Sequence, residues 1–138
     1  MTSADRPAAV LFLNANVLIS AAWKANSEIA LIWQMNDVRL VTSMYVMDEV
    51  QRNLHRADQI ERLRDLMRSV EIVSFSSTLE ISSTLEIDEA EGLPEKDRQV
   101  LAGAVQAQAT HLISGDKKHF GPLYGKYIRG VRITAPAE

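Results

Sequence analysis

Residues Val10–Leu13 read VLFL, a run of four apolar residues bounded by the polar pair Asn14 and Asn16. A run so short and uniformly apolar suits a central parallel strand covered on both faces, because such strands lose the in–out alternation of a half-exposed sheet. Three further short strands are expected along the chain, at Val38–Val41, His111–Ser114 and Val131–Thr134, with segments of helical length between them. Ser27 stands at the start of a helix reaching about Gln34, and Ser43 before one from Met44 to about Arg56. Asp58 and Glu61 resemble a capping box for a helix to about Ser69. Glu71–Phe75 reads as another strand, and Pro94 suits the first position of a helix running to about Ala109. Strands alternating with helices predict a three-layer α/β/α sandwich around a central parallel sheet, with right-handed crossovers. At 138 residues the chain fits one domain, 1–138, with one core.

Two stretches need separate treatment. From Pro7 to Trp23 the chain carries no charge, which is one property of a secretory leader. Asn14 and Asn16 interrupt that run and Asp5 offsets Arg6, so a buried strand followed by a turn and a helix is the expected reading. No other stretch approaches the roughly 20 apolar residues of a membrane span. Ser76–Ile81 and Ser82–Ile87 both read SSTLEI, with Leu79, Ile81, Leu85 and Ile87 on one parity. That is strand alternation, in keeping with a local duplication that lengthens an edge strand or loop. The chain has no cysteine, which excludes disulfides, thiolate metal sites and thiol catalysis, and suits a reducing cytoplasm.

In open parallel sheets the ligand site lies beyond the carboxyl ends of the strands. Asn14 directly follows the first strand, and Asp116 follows the strand at His111–Ser114. Glu49 flanks the inward stripe Val46, Val50, Leu54 of the helix after the second strand. Asp97 lies in the first turn of the helix from Pro94, four residues before Leu101. Taken singly, each has a plainer explanation: a first-turn acid favoured by the helix dipole, a turn residue, a solvated helix charge. Together they occupy matching places in separate strand–helix units, so three carboxylates and one amide are expected to converge. Converging carboxylates repel, and a hard cation offsets that cost; oxygen ligands favour Mg²⁺ or Mn²⁺ over zinc. Metals held this way activate water and stabilise charge on a phosphodiester.

These residues resemble the PIN domain family. LFLNANVLIS at Leu11–Ser20 is similar to its opening motif, in which the strand ends in aspartate. TSMYVMDEV at Thr42–Val50, LPEKDRQVLAGA at Leu93–Ala104 and HLISGDKKHF at His111–Phe120 are similar to the segments carrying the next acids, matched by Glu49, Asp97 and Asp116. GVRITAP at Gly130–Pro136 fits the closing strand. The likeness is greatest to the toxin-type PIN proteins of prokaryotic toxin–antitoxin systems. It implies a metal-dependent endoribonuclease acting on single-stranded RNA, commonly a homodimer, restrained by an antitoxin. Asn14, Glu49, Asp97 and Asp116 would form the catalytic set, with metal on the last three; Asn16 would orient the site and contact the substrate.

The departure is Asn14, which keeps the shape of aspartate and removes a charge. Two readings are open: an aspartate replaced in this chain, or a natural variant whose activity is weak or gone, leaving an RNA-binding or regulatory protein. Lys117, Lys118 and His119 come after Asp116 and suit either phosphate binding or a solvated loop. With a net charge of −3 the chain needs local positive charge to hold RNA. Arg52, His55, Arg56, Arg62, Arg64 and Arg68 enrich two neighbouring helices, where contact with RNA or an acidic partner is one reading and solvated faces the simpler one. Trp23, Trp33 and Tyr45 offer either base stacking or, more simply, packing.

Overall fold

The computed structural model describes residues 8–73 and 93–136. The SSTLEI duplication, Ser74 and Phe75 lie outside the described residues. The chain begins with β1 (Ala9–Leu13) and α1 (Ala15–Trp23), then a 3₁₀ helix at Glu28–Gln34. It continues through β2 (Val38–Ser43), α2 (Met44–Asn53), α3 (Ala57–Met67) and β3 (Val70–Val73). After the undescribed stretch come α4 (Glu95–Gln106), β4 (His111–Ile113), a 3₁₀ turn at Gly121–Leu123, β5 (Tyr127–Ile128) and β6 (Val131–Thr134).

The strands form one six-stranded sheet in the order β3-β2-β1-β4-β6-β5. β1 pairs in parallel with β2, placing Leu11 beside Leu40, and with β4, placing Phe12 beside Leu112. The β2–β3 and β4–β6 pairs are also parallel. Among the described strands only β5 runs antiparallel, against β6. The apolar run VLFL thus occupies a central strand, and Phe12 and Leu13 are fully buried. From β1 the sequence steps outward to β2 and β3, then returns to β4 on the other side. Right-handed crossovers therefore put α1, α2 and α3 on one face and α4 on the other. α1 packs against α2, α3 and the 3₁₀ helix.

Several local expectations are corrected. The segment after Ser27 is 3₁₀ rather than α, and Ser27 makes no side-chain cap bond. α2 stops at Asn53, whose side chain turns back to donate to the Glu49 carbonyl at 2.7 Å. Asp58 and Glu61 do not form a capping box: α3 begins at Ala57, and the Asp58 carboxylate instead takes Arg56 at 3.1 Å and Arg62 at 2.7 Å. Pro94 is the cap residue of α4 rather than its first residue, and α4 ends at Gln106. The β5–β6 hairpin was not legible because its two-residue turn is Arg129-Gly130. Both residues have positive φ, 51° and 84°, the primed-turn geometry usually signalled by Asn-Gly.

Arg62 is diverted from the expected solvated face. Its Nε donates to the Ala22 carbonyl and its Nη2 to the Trp23 carbonyl, each at 3.0 Å, and Gln59 adds a longer bond to the latter. The open carbonyls at the end of α1 are thereby capped from α3. No helix among the described residues is long and apolar enough to cross a membrane.

Candidate metal centre

Among the described residues, buried polar side chains gather where the strands end: Asn14 after β1, Thr42 and Ser43 closing β2, Ser114 after β4 and Thr134 closing β6. Buried polar groups require partners, and these find them in one another or in nearby backbone. Ser43 Oγ accepts from Val46 N at 3.2 Å, capping α2 and fixing its first turn at the sheet edge. Thr42 Oγ1 donates to the Leu13 carbonyl at 2.9 Å, tying β2 to the end of β1.

Asn14 caps α1 and is 6% exposed. Its Oδ1 accepts from Ala15 N at 2.7 Å, and its Nδ2 donates to Ser114 Oγ at 3.1 Å. Ser114 Oγ also accepts from Asp116 N at 3.2 Å and from Asn16 Nδ2 at 3.4 Å. Asn16 Oδ1 in turn accepts from Gly115 N at 2.9 Å. Both ends of the Asn16 amide are therefore engaged in holding the loop after β4. Tyr124 adds a bond from its hydroxyl to the Ser114 carbonyl at 2.7 Å.

Asp116 is shaped by its own loop. Its Oδ1 accepts from the backbone N–H groups of Lys118 and His119, each at 3.2 Å, the local cap that an aspartate makes two and three residues ahead. Its Oδ2 lies 2.9 Å from His119 Nδ1. Burial raises its pKa, but the side-chain and backbone bonds from His119 outweigh that, and the carboxyl is held below its ordinary value.

Asp97, in the first turn of α4, is 3% exposed. Its Oδ2 is 3.3 Å from His119 Nδ1, yet no hydrogen bond from the described residues reaches that oxygen. The contact has the length of an ion pair without the direction of a bond, since the same nitrogen is engaged by Asp116. Burial pushes the Asp97 carboxyl above its ordinary value; Asp116 and Glu49 add to this, while His119 and Lys96 oppose it. Ligand atoms of Asp97, Asp116 and His119 all lie within 4.8 Å of one another.

Glu49 stands outside that trio. It is half-buried on α2, and its Oε1 lies 3.4 Å from Lys96 Nζ at the start of α4. Tyr45, one turn earlier on α2, shares this side. Burial pushes its phenol above the ordinary value, helped by Glu49, Asp97 and Glu95 and opposed by Lys96. Lys117 and Lys118 are exposed beside Asp116.

The structure thus brings Asn14, Asp97 and Asp116 into one connected network, with Glu49 on its border. The sequence groups His119 with the two lysines, and its place between two carboxylates is not legible there as such. The available signal is its spacing from Asp116, which in a capped turn brings the ring back to the carboxylate. Sequence reasoning missed Ser114, Lys96 and Tyr124; a serine closing a strand carries no signal of how many donors it serves.

The chain matches the PIN domain model over residues 10–118, and it belongs to the PIN domain family. No curated protein matches it at the level of sequence. Its fold is similar to that of VapBC2 from Rickettsia felis, bound to a DNA fragment from the promoter, with a TM-score of 0.65 at 17% identity over 91% of this chain and 98% of that one. It is also similar to a toxin–antitoxin complex from Klebsiella pneumoniae, TM-score 0.62 and 24% identity over 88% and 94% of the two chains. VapBC-1 from nontypeable Haemophilus influenzae gives 0.62 and 16%, over 94% and 99%. The expected fold class is confirmed, with an antiparallel strand added at one edge.

Proposed function

We propose that this chain is a toxin-type PIN endoribonuclease, a single domain that cuts single-stranded RNA with Mg²⁺ or Mn²⁺ and is weakened by Asn14. The observation that carries this reading is Asp97 Oδ2, a buried carboxylate oxygen with no hydrogen bond from the described residues, facing Asp116 across His119. A buried carboxylate facing a half-buried one favours a cation between them, and burial already holds the Asp97 pKa above its ordinary value. Carboxylate donors fit a hard divalent ion. Asp97 and Asp116 would hold it, with Glu49 reaching it through water. Bound there, the ion supplies the charge that activates water and stabilises the phosphate's developing negative charge.

The chain's own residues then have distinct tasks. His119 Nδ1 lies 2.9 Å from Asp116 Oδ2, and because a carboxylate only accepts, the ring orients that acid by donating to it. Ser114 and Asn16 fix the loop from which Asp116 projects. Lys117 and Lys118 offer positive charge to the phosphates of the strand on that side. The test is cleavage of single-stranded RNA by the Asn14→Asp form in Mn²⁺. Cleavage abolished by EDTA supports the reading; cleavage indifferent to EDTA, or none across varied RNAs, counts against it.

A second reading has its own observation. Both polar atoms of the Asn14 amide are hydrogen-bonded, so asparagine fits its place as a resident would. On that basis the chain is an RNA-binding or regulatory protein on a PIN fold. RNA bound without being cut by both the asparagine and aspartate forms would select it.

The similarity to chains from VapBC and toxin–antitoxin complexes supports an antitoxin partner. In the proposed arrangement that partner covers the acidic edge, in the cytoplasm, with the nuclease as a homodimer. Slowed growth on expressing the Asn14→Asp form, relieved by the product of a neighbouring gene, is the expected result. Unchanged growth with soluble protein would favour a stand-alone processing enzyme.

A further inference from the structure

Three aromatic residues were open to either packing or base stacking, and the structure separates them. Trp33 is partly buried, its Nε1 donating to the Leu66 carbonyl at 3.0 Å. Trp23 is exposed, but it closes α1. A helix of nine residues rises about 13 Å, so Trp23 stands that far from the acidic edge where α1 begins. Tyr45 differs from both. It is 39% exposed and lies in the first turn of α2, directly after Ser43 and Met44 at the carboxyl end of β2. It precedes Glu49 by four residues, so the two side chains share one stripe of the helix. The Glu49–Lys96 contact draws the start of α4 to that stripe, which puts Tyr45 on the side of Lys96 and one helical turn from Glu49, at the border of the acidic group.

Resting on the nuclease reading above, we propose that Tyr45 is a base-stacking residue for the RNA strand, with Lys96 taking an adjacent phosphate. The strand then has a grip on each side of the acids: Tyr45 and Lys96 at the α2–α4 border, Lys117 and Lys118 on the loop after β4. An exposed aromatic face beside a cation is the combination that holds single-stranded nucleic acid with little regard to sequence, because every base offers a π face. It also answers the charge problem. A chain of net charge −3 cannot attract RNA by its overall field, so stacking carries affinity that the backbone contacts alone lack. The neighbouring Met44, 53% exposed, extends the apolar surface available to a base.

The experiment uses the protein as it stands, whose Asn14 slows cutting, and short single-stranded RNAs carrying 2-aminopurine, titrated with Mn²⁺ present. Stacking on Tyr45 quenches the 2-aminopurine signal on binding. In Tyr45→Leu the quench is lost and Kd weakens roughly tenfold, within the range that aromatic truncation produces; Tyr45→Phe retains both within about twofold. An RNA with an abasic site at the quenched position binds the unmodified protein and Tyr45→Leu alike. Unchanged Kd with the quench retained in Tyr45→Leu overturns the proposal and leaves the nuclease reading intact, provided RNA is still bound. A Tyr45→Leu variant that binds RNA normally but changes oligomeric state in sedimentation also overturns it, assigning the ring to a contact between copies. If neither the protein as it stands nor Asn14→Asp binds or cuts any RNA, the nuclease reading falls and the stacking role with it. The quench in the unmodified protein needs no variant, so a poorly folding Tyr45→Leu leaves the test in force.

Discussion

Asn14→Asp exchanges an amide nitrogen for an oxygen at a position 6% exposed, and its consequences can be worked group by group. The Oδ1 that accepts from Ala15 N keeps its bond. The other bond reverses: Nδ2 now donates to Ser114 Oγ at 3.1 Å, and the serine hydroxyl can turn to donate to a carboxylate instead. Hydrogen bonding is conserved, so the remaining difference is charge. Two unit charges about 6–8 Å apart repel by roughly 2–3 kcal/mol at an effective dielectric constant near 20. The start of α1 returns about 0.5–1 kcal/mol to a carboxylate at its cap. The metal-free variant should therefore be less stable by about 1–2 kcal/mol, or about 4–8 °C in melting temperature for a chain of this size. Metal offsets this loss. A carboxylate added to a hard-cation site should tighten binding about tenfold, about 1.4 kcal/mol, which saturating ion expresses in full as native-state stability. Differential scanning fluorimetry in EDTA and in Mn²⁺ reads both effects, and the Mn²⁺-induced rise should be about 5 °C larger in the variant. The contrast should shrink when Asp97 is also changed to alanine, because both residues act on one site. Equal Mn²⁺ shifts in the two forms would refute the placing of Asn14 at the metal centre.

Asp97→Asn should stabilise the metal-free protein, and the gain should depend on pH. Because the folded Asp97 pKa is raised, its contribution is fully present below the unfolded value and is lost as pH rises through the folded value. Denaturant unfolding should thus show little gain near about pH 4 and a clear one near neutrality, and an equal gain at both would contradict the burial argument. Ser114→Ala leaves two amide groups and the Asp116 N–H without their acceptor, at a cost of about 2–3 kcal/mol and a weaker Mn²⁺ response; a stability loss below about 0.5 kcal/mol would show that the hydroxyl is dispensable. Arg62→Ala should cost about 1–2 kcal/mol by uncapping Ala22 and Trp23, more than Arg68→Ala, whose ion pair to Asp65 is an exposed one at 3.8 Å; comparable losses would return Arg62 to the solvated class.

The legibility of the sequence runs along physical lines. β1 was readable because a fully apolar run has few other uses, and the α2 stripe because Val46, Val50 and Leu54 keep helical spacing; all three are buried. Asn14, Asp97 and Asp116 were readable from position alone, since the carboxyl edge of a parallel sheet collects the first residues after each strand and the first turns of the helices beside it. Local competition hid the rest. Asp58 looks like a helix cap, but a nearby guanidinium took its carboxylate. The 3₁₀ turn after Ser27 has an apolar pattern that does not distinguish it from an α-helix. Ser114 carries its importance in three-dimensional neighbours, two of which lie about a hundred positions away in sequence.

That separation has a bearing on how the protein is made. Asn14 and Ser114 are 100 residues apart, and β1 lies between β2 and β4 in the sheet. At a synthesis rate of about 5–20 residues per second, the interval between emergence of the two is about 5–20 s. During it β1 can pair with β2, while its other edge, destined for β4, stays open. A nascent chain at that stage carries Asn14 and Glu49 but neither Asp116 nor the loop that aims it. The half-made molecule therefore has an unpaired apolar strand edge and no assembled acidic centre. Any nuclease activity would be withheld until the last third of the chain leaves the ribosome, and a message truncated before β4 would yield a sticky fragment rather than a dangerous one.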